Sequence, residues 1–313
     1  MVGLVYWGPD GSARAGEGLV NLKVMSLVPG VRYSSVAAAD PVGNAPGDRL
    51  TIDVSRQIPR RPTGLRRRGV VYGAGLRLDL LTPAAAARHP LVVYLPGGGF
   101  VFAPRAMARR ERGFIAAAGY AVASVEYRTT RQHATYADAL TDISSAIGHL
   151  TGHADEYGID PGRVAVWGES AGGYLASLTG LSDPRVRAVV DQFGASDLSR
   201  AADGFDHRMH AAFANPRHPI HRYRATEANP IDLVRPGAPA FLLMHGDDDR
   251  IIPPAQTLAL HQALRAAGAD STRHLLAGAG HGRLARSRTQ ARQWTSVHVM
   301  TIIKDFLDGH LHS

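Results

Sequence analysis

Three residues capable of acyl-transfer chemistry lie in a telling order along this 313-residue chain. The first is the serine of Val166-Trp167-Gly168-Glu169-Ser170-Ala171-Gly172-Gly173. An apolar run precedes this G-x-S-x-G pattern and a helical pattern follows it, which describes a sharp strand-to-helix turn that lifts a hydroxyl above a sheet. Gly168 and Gly172 are required there because side chains would meet the neighbouring strand and helix. A helix N-terminus behind Ser170 also favours developing negative charge. A serine hydroxyl is a weak nucleophile, so it needs a base, and the base needs an acid to orient it. Phe241–His245 is an apolar run ending in a turn with Asp247, Asp248 and Asp249, and Gly278-Ala279-Gly280-His281-Gly282 is a glycine-rich loop with one histidine. The order Ser170, Asp249, His281 is the one such a turn demands. Asp249 is preferred as the acid because the chain has cleared the strand by that point, leaving Asp247 as a turn cap and Asp248 as a solvated neighbour. Three carboxylates on one turn lack the ligand spacing of a metal loop, so no metal is expected.

Leu91-Val92-Val93-Tyr94-Leu95 is an apolar run leading into Pro96-Gly97-Gly98-Gly99-Phe100. A tetrahedral oxyanion needs N–H donors about 2.7–3.1 Å away, and glycine backbone can approach that closely. Gly98 and Gly99 are the expected donors, joined by the amide of Ala171. Phe100, Glu169 and Tyr174 flank these motifs and are expected to line the substrate site, core packing being the alternative for the two aromatics.

The elements that must carry these groups are legible as short apolar runs at Gly69–Tyr72, Leu76–Leu81, Leu91–Leu95, Ala121–Tyr127, Arg163–Trp167, Ala188–Phe193, Ala240–His245 and Ser271–Leu276. Helical patterns separate most of them: Ala106–Ala118, Tyr136–Tyr157, Ala171–Gly180, Pro254–Ala267 and Ser287–Leu307. This alternation predicts an α/β fold: a mostly parallel eight-stranded sheet with helices on both faces. Residues 1–67 read as an N-terminal extension contributing to a cap, with a possible helix near Gly18–Val28, and 68–313 as the catalytic domain. About 38 residues, Ser199–Pro236, break the alternation and read as a lid. Within it Phe205, Met209, Phe213 and Tyr223 are candidates for the substrate pocket, lid packing being the alternative. His207-x-x-His210 and His218-x-x-His221 have a helical metal-ligand spacing, but Pro216 and Pro219 argue against a helix for the second pair, and solvated histidines are the preferred reading.

Composition removes other classes. Without cysteine there is no disulfide framework, thiolate metal site or cysteine nucleophile. The chain carries 35 basic against 27 acidic residues, and all but two of the basic ones are arginine. The arginines are dispersed, as a GC-rich genome would produce, so no nucleic-acid partner is expected. Arg66–Arg68 and Arg222–Arg224 are left as candidates for guiding an anionic substrate. No apolar run approaches the ~20 residues of a membrane span, and Met1–Gly8 has no signal-like pattern, so a cytoplasmic protein is expected.

Taken together, the motifs resemble the α/β-hydrolase superfamily, and within it the hormone-sensitive-lipase-like and feruloyl-esterase-like carboxylesterases. Further similar phrases are Ser124-Val125-Glu126-Tyr127-Arg128, Tyr157–Arg163 and Val189-Val190-Asp191-Gln192-Phe193-Gly194, so the likeness runs over about Gly69–Leu311. It implies a serine carboxylesterase with no cofactor, a small ester substrate and possible homodimers. The triad would serve an amidase, formamidase, peptidase or acyltransferase equally, and a non-catalytic ligand-binding relative is a further alternative. The likeness departs at Pro96, where the family usually has a histidine that supports the oxyanion loop. The loop is therefore expected to be held differently here.

Overall fold

The computed structural model describes residues 4–7, 13–16, 49–60, 63–73, 75–85, 87–198, 215 and 217–312. Two units result, Met1–Gly47 and Asp48–Ser313. In the first, β1 (Leu4–Trp7) and β2 (Ala13–Gly16) pair antiparallel. The Gly18–Val28 segment lies outside the described residues. The second unit starts at Asp48, so residues 48–67, expected in the extension, belong to the same compact unit as the catalytic motifs.

Nine strands form the sheet of this unit: β3 (Arg49–Leu50), β4 (Leu65–Tyr72), β5 (Leu76–Pro83), β6 (His89–Leu95), β7 (Ala121–Val125), β8 (Ile159–Glu169), β9 (Val186–Gln192), β10 (Ala240–Gly246) and β11 (Ser271–Leu276), in the order β3-β11-β10-β9-β8-β6-β7-β5-β4. The β4–β5 and β5–β7 pairs are antiparallel, and the other neighbours run parallel. The strand beyond the expected eight is β3, only two residues long, which adds to β11 at one edge. Such a stub has no periodicity to read. Its position is fixed instead by Arg49, which donates to Asp247 at 2.6 and 3.0 Å.

The central strands are apolar throughout because both faces are covered. Successive residues alternate between two cores. Leu91, Val93, Leu95, Val164, Val166, Phe241 and Leu243 pack with residues of α2 (Tyr136–Gly152), α4 (Ala171–Ser182) and α6 (Ala255–Ala266). Val92, Tyr94, Ala165, Trp167, Leu242 and Met244 pack with α1 (Arg109–Ala117) and α8 (Val297–Leu311). Each fully buried aliphatic side chain contributes about 1.5–3 kcal/mol. The expected last helix is two, α7 (Arg288–Trp294) and α8, separated where Ser296 caps α8 by accepting from Val299 N.

The opposite edge, β4, exposes Arg66, Arg67 and Arg68. Arg67 donates to Asp79 at 2.9 Å and Arg68 to Glu156 at 2.5 Å. A charged edge resists pairing with another sheet, and this placement ties these arginines to the sheet edge.

Of the expected lid, residues 199–214 and 216 lie outside the described residues. The rest is bound to the main body. Pro219–Arg222 forms a helical turn, α5, contrary to the expectation drawn from the prolines. Pro219 occupies the first helical position, where its missing N–H is no loss, and the His218 imidazole caps the turn by accepting from Ile220 N. Ile220, Tyr223 and Ala225 are buried in the first core.

Candidate active site

The parallel strands end on one side, and the loops that follow β6, β8, β9, β10 and β11 carry the motifs, as is usual for open α/β sheets. Ser170 sits between β8 and α4 with φ 56° and ψ −122°. A non-glycine residue in such a conformation stores on the order of 1–3 kcal/mol, and the surroundings enforce it. Ser170 N donates to Gln192 O at 2.9 Å. A Cβ at Gly168 would collide with the Gly172 carbonyl, one at Gly172 with the Leu95 carbonyl, and one at Gly173 with the Asp191 carboxylate. The elbow is therefore wedged between two strands, and only glycine fits its flanks.

The three predicted groups meet in a line. Ser170 Oγ lies 2.8 Å from His281 Nε2, and His281 Nδ1 lies 2.7 Å from Asp249 Oδ2. All but 4% of His281 and 8% of Asp249 is shielded from solvent, so their interaction is little weakened by water. The other carboxylate oxygen, Oδ1, accepts from Ile251 N at 2.8 Å and Ile252 N at 3.0 Å. Burial by itself would raise the Asp249 carboxyl, but hydrogen bonds from His245 and His281 outweigh it and hold the group well below the usual carboxylate range. The neighbouring aspartates differ as expected. Asp247 Oδ1 accepts from Gly278 N at 2.6 Å, tying the two loops together, and Asp248 faces Gln290 and Arg250.

The glycine-rich loop, residues 96–102, is folded by backbone. Gly98, Gly99 and Phe100 have φ of 155°, 60° and 64°. Gly98 O accepts from Val101 N and Phe102 N at 3.0 and 3.1 Å. Among the described residues, no acceptor meets the N–H groups of Gly98, Gly99 or Ala171. The carbonyls are held instead: Tyr127 Oη donates to Pro96 O at 2.5 Å, Thr129 Oγ1 to Val101 O at 2.9 Å, and Thr130 N to Phe100 O at 3.0 Å. Proline at 96 has no polar side chain to anchor the loop, and the Tyr127 hydroxyl anchors its carbonyl.

Glu169 lies beside the nucleophile, where its Cγ sits 3.4 Å from the place a Cβ on Gly97 would take. Its carboxylate accepts from Tyr94 Oη at 2.7 Å, and burial pushes its pKa up against that bond. Two other expected substrate contacts are core residues. Tyr174 is wholly buried, its hydroxyl donating between Ala225 O and Ala228 O. Phe100 is 7% exposed, stacked on Tyr223 at 5.0 Å and edge-on to Tyr174 at 5.6 Å. Phe100, at φ 64°, packs its ring between those of Tyr174 and Tyr223. Phe205, Met209 and Phe213 lie outside the described residues.

Sequence reading missed two supports. Phe193, at φ 46°, sets its ring edge-on to His281 at 4.8 Å and to Trp294 at 4.6 Å. His245 is fully buried behind Asp249, with Nε2 at 3.3 Å from Oδ2. A histidine ending an otherwise apolar strand was the signal available for the second.

The arrangement is a hydroxyl, an imidazole and a carboxylate hydrogen-bonded in sequence beside a glycine-rich loop. A family model described as BD-FAE matches residues 78–264. Esterase LipC of Mycobacterium tuberculosis is 32% identical over 255 residues, covering 70% of this chain and 60% of that protein. The chain spans about half to three-fifths of the length of such curated relatives. Among solved structures, a truncated carbohydrate esterase from gut microbiota superposes with a TM-score of 0.68 at 22% identity, covering 82% of this chain and all of that one. Thermogutta terrifontis esterase 2 phosphonylated by sarin gives 0.63 at 25% identity, over 80% of this chain and 98% of that one. Among the described residues no helix is long and apolar enough to cross a membrane.

Proposed function

The chain belongs to the BD-FAE family, and from that premise we propose that it is a serine carboxylesterase working through Ser170, His281 and Asp249. The unbroken line from Ser170 Oγ to His281 (2.8 Å) to Asp249 (2.7 Å) carries this reading. Ser170 Oγ attacks the ester carbonyl as His281 Nε2 takes its proton. Asp249 keeps the hydrogen of His281 on Nδ1 and stabilises the imidazolium that forms. The carbonyl oxygen becomes an oxyanion between the amides of Gly98, Gly99 and Ala171, each such donor being worth about 10²–10³ in rate. His281 then returns the proton to the departing alcohol, leaving an acyl-serine. Water, activated by the same imidazole, adds to the acyl carbon; collapse of that second tetrahedral species frees the acid and restores Ser170. No cofactor enters these steps.

The test is Ser170→Ala. Wild-type protein should hydrolyse short p-nitrophenyl esters and be labelled once by a fluorophosphonate. The variant should lose labelling and about 10⁶-fold in kcat. Labelling that persists in the variant overturns the assignment, and turnover of amide analogues in preference to esters overturns the choice of bond.

A further inference from the structure

Asp249 makes more hydrogen bonds than orienting one imidazole requires. Its Oδ1 takes two backbone amides, and its Oδ2 faces two imidazoles, His281 at 2.7 Å and His245 at 3.3 Å. Three of these are full hydrogen bonds, and the fourth, from His245, is a longer contact made by an N–H that also faces Ile252 O at 2.8 Å. The second imidazole is not a chance neighbour. His245 Nε2 also lies 2.8 Å from Ile252 O, so it faces two acceptors and must carry its hydrogen. His245 Nδ1 lies 3.0 Å from Thr257 Oγ1. That hydroxyl accepts from Arg273 Nε at 3.3 Å, and Arg273 Nη2 also serves Pro254 O, the other acceptor within reach of the threonine hydrogen. Nε2 carries one hydrogen, and burial and Arg273 both oppose a second, so His245 is held as the neutral Nε2–H tautomer with Nδ1 facing the Thr257 hydroxyl. His245, Thr257 and Arg273 are all at least 97% buried.

We propose that His245 is a positioning residue for the acid of the triad: a neutral imidazole, fixed from behind by Thr257 and Arg273, whose Nε2–H occupies the lone pair of Asp249 Oδ2 that His281 leaves. A buried chain of donors then runs from β11 through α6 to the reacting serine, in the order Arg273, Thr257, His245, Asp249, His281, Ser170. Its effect on catalysis is twofold. It stops the carboxylate rotating about its Cβ–Cγ bond. It also draws off part of the carboxylate charge, which tempers the hydrogen bond that Asp249 accepts from His281 Nδ1. The charged or titratable groups facing this pair are Arg273 on the His245 side and His281 on the other. Burial and Arg273 both oppose protonation of His245, and Asp249 favours it.

The inference rests on the serine-hydrolase reading for its kinetic arm, so the experiment adds a readout that needs no turnover. His245→Leu removes the N–H, and His245→Gln keeps one. In the leucine variant, kcat/KM should fall about tenfold, the scale of one hydrogen bond to a charged group. The glutamine variant should recover most of it. The low-field proton shared by His281 and Asp249 should move downfield in the proton NMR spectrum of the leucine variant. In wild-type protein with ¹⁵N-labelled histidine, the resonances lost on His245→Gln should report the Nε2–H tautomer from pH 5.5 to 9. An unmoved low-field proton, or a glutamine variant as impaired as the leucine one, overturns the proposal. If the leucine variant does not fold, a doubly protonated or Nδ1–H form of His245 in the wild type overturns it by itself. Absence of ester turnover and fluorophosphonate labelling in the wild type would instead bring down the enzymatic reading, while the NMR arms still decide the tautomer and the hydrogen bond.

Discussion

The two sides of Ser170 are built on opposite principles. On the side proposed for acid–base work the positions are set by side-chain hydrogen bonds, three of them to the Asp249 carboxylate. On the oxyanion side the positions are set by backbone twist, with three consecutive positive φ values at Gly98, Gly99 and Phe100. There the protein holds the carbonyls, through Tyr127, Thr129 and Thr130, and leaves the N–H groups for the reaction. The lesson is that a group which must stay ionised is given several donors, whereas groups that must serve a transient charge are oriented through their far ends.

Breaking the acid–base side should have the larger effect. In Asp249→Asn the amide must turn an N–H toward donors on one oxygen or the other, and the hydrogen of His281 is no longer fixed on Nδ1. The expected loss is about 10⁴ in kcat with KM little altered, read from steady-state kinetics on a p-nitrophenyl ester. Loosening the oxyanion side at Tyr127→Phe removes only the hydroxyl on Pro96 O, so a buried carbonyl is left unsatisfied at about 1–3 kcal/mol. Activity should fall on the order of tenfold, with a drop of several degrees in Tm. A loss in Tyr127→Phe as large as that in Asp249→Asn would mean that this side too depends on a single side-chain bond.

The smallest kinetic effect belongs to a residue on neither side. Asp191 is fully buried under the elbow, accepting from Ser177 Oγ at 2.9 Å and Gly194 N at 2.8 Å, and burial pushes its pKa up to about 7. The folded state therefore holds this proton over a range in which the unfolded chain, near 3.8, has lost it. Its contribution to stability is present at low pH and is lost as pH rises from about 4 to 7, by on the order of a few kcal/mol. Asp191→Asn keeps an acceptor for Gly194 N and should flatten that part of the stability profile, measured by urea unfolding at pH 5 and pH 8, with kcat nearly unchanged. A stability difference between the two pH values that survives the substitution would assign the slope elsewhere.

How much of this was legible in the sequence follows from how each residue is constrained. Ser170, His281 and the oxyanion loop were readable because glycines mark the places where no side chain fits, and Asp249 because it follows an apolar strand into a turn. The strand pattern identified the sheet's eight main members, but β3 has two residues and is fixed by Asp247 and β11, partners far along the chain. Phe100 and Tyr174 adjoin catalytic motifs, and adjacency in sequence does not state which way a ring points once φ turns positive. Pro219 looked like a helix breaker, although at a first helical position proline is at home. His245 and Phe193 act through residues that only folding brings beside them.

The stacking of Phe100 on Tyr223 has a consequence for how this protein can change. Tyr223 comes from the long segment between β9 and β10, while Phe100 adjoins Gly98 and Gly99. The ring pair makes a lever between the two, and Tyr223 Oη is pinned at its far end to Arg128 O. A redesign of that segment, by graft or by drift, has a fixed point at residue 223. A substitution that keeps the aromatic ring keeps this stack, whereas one that moves it also moves the loop proposed to receive the oxyanion, so a change made at residue 223 would be felt at Gly98 and Gly99.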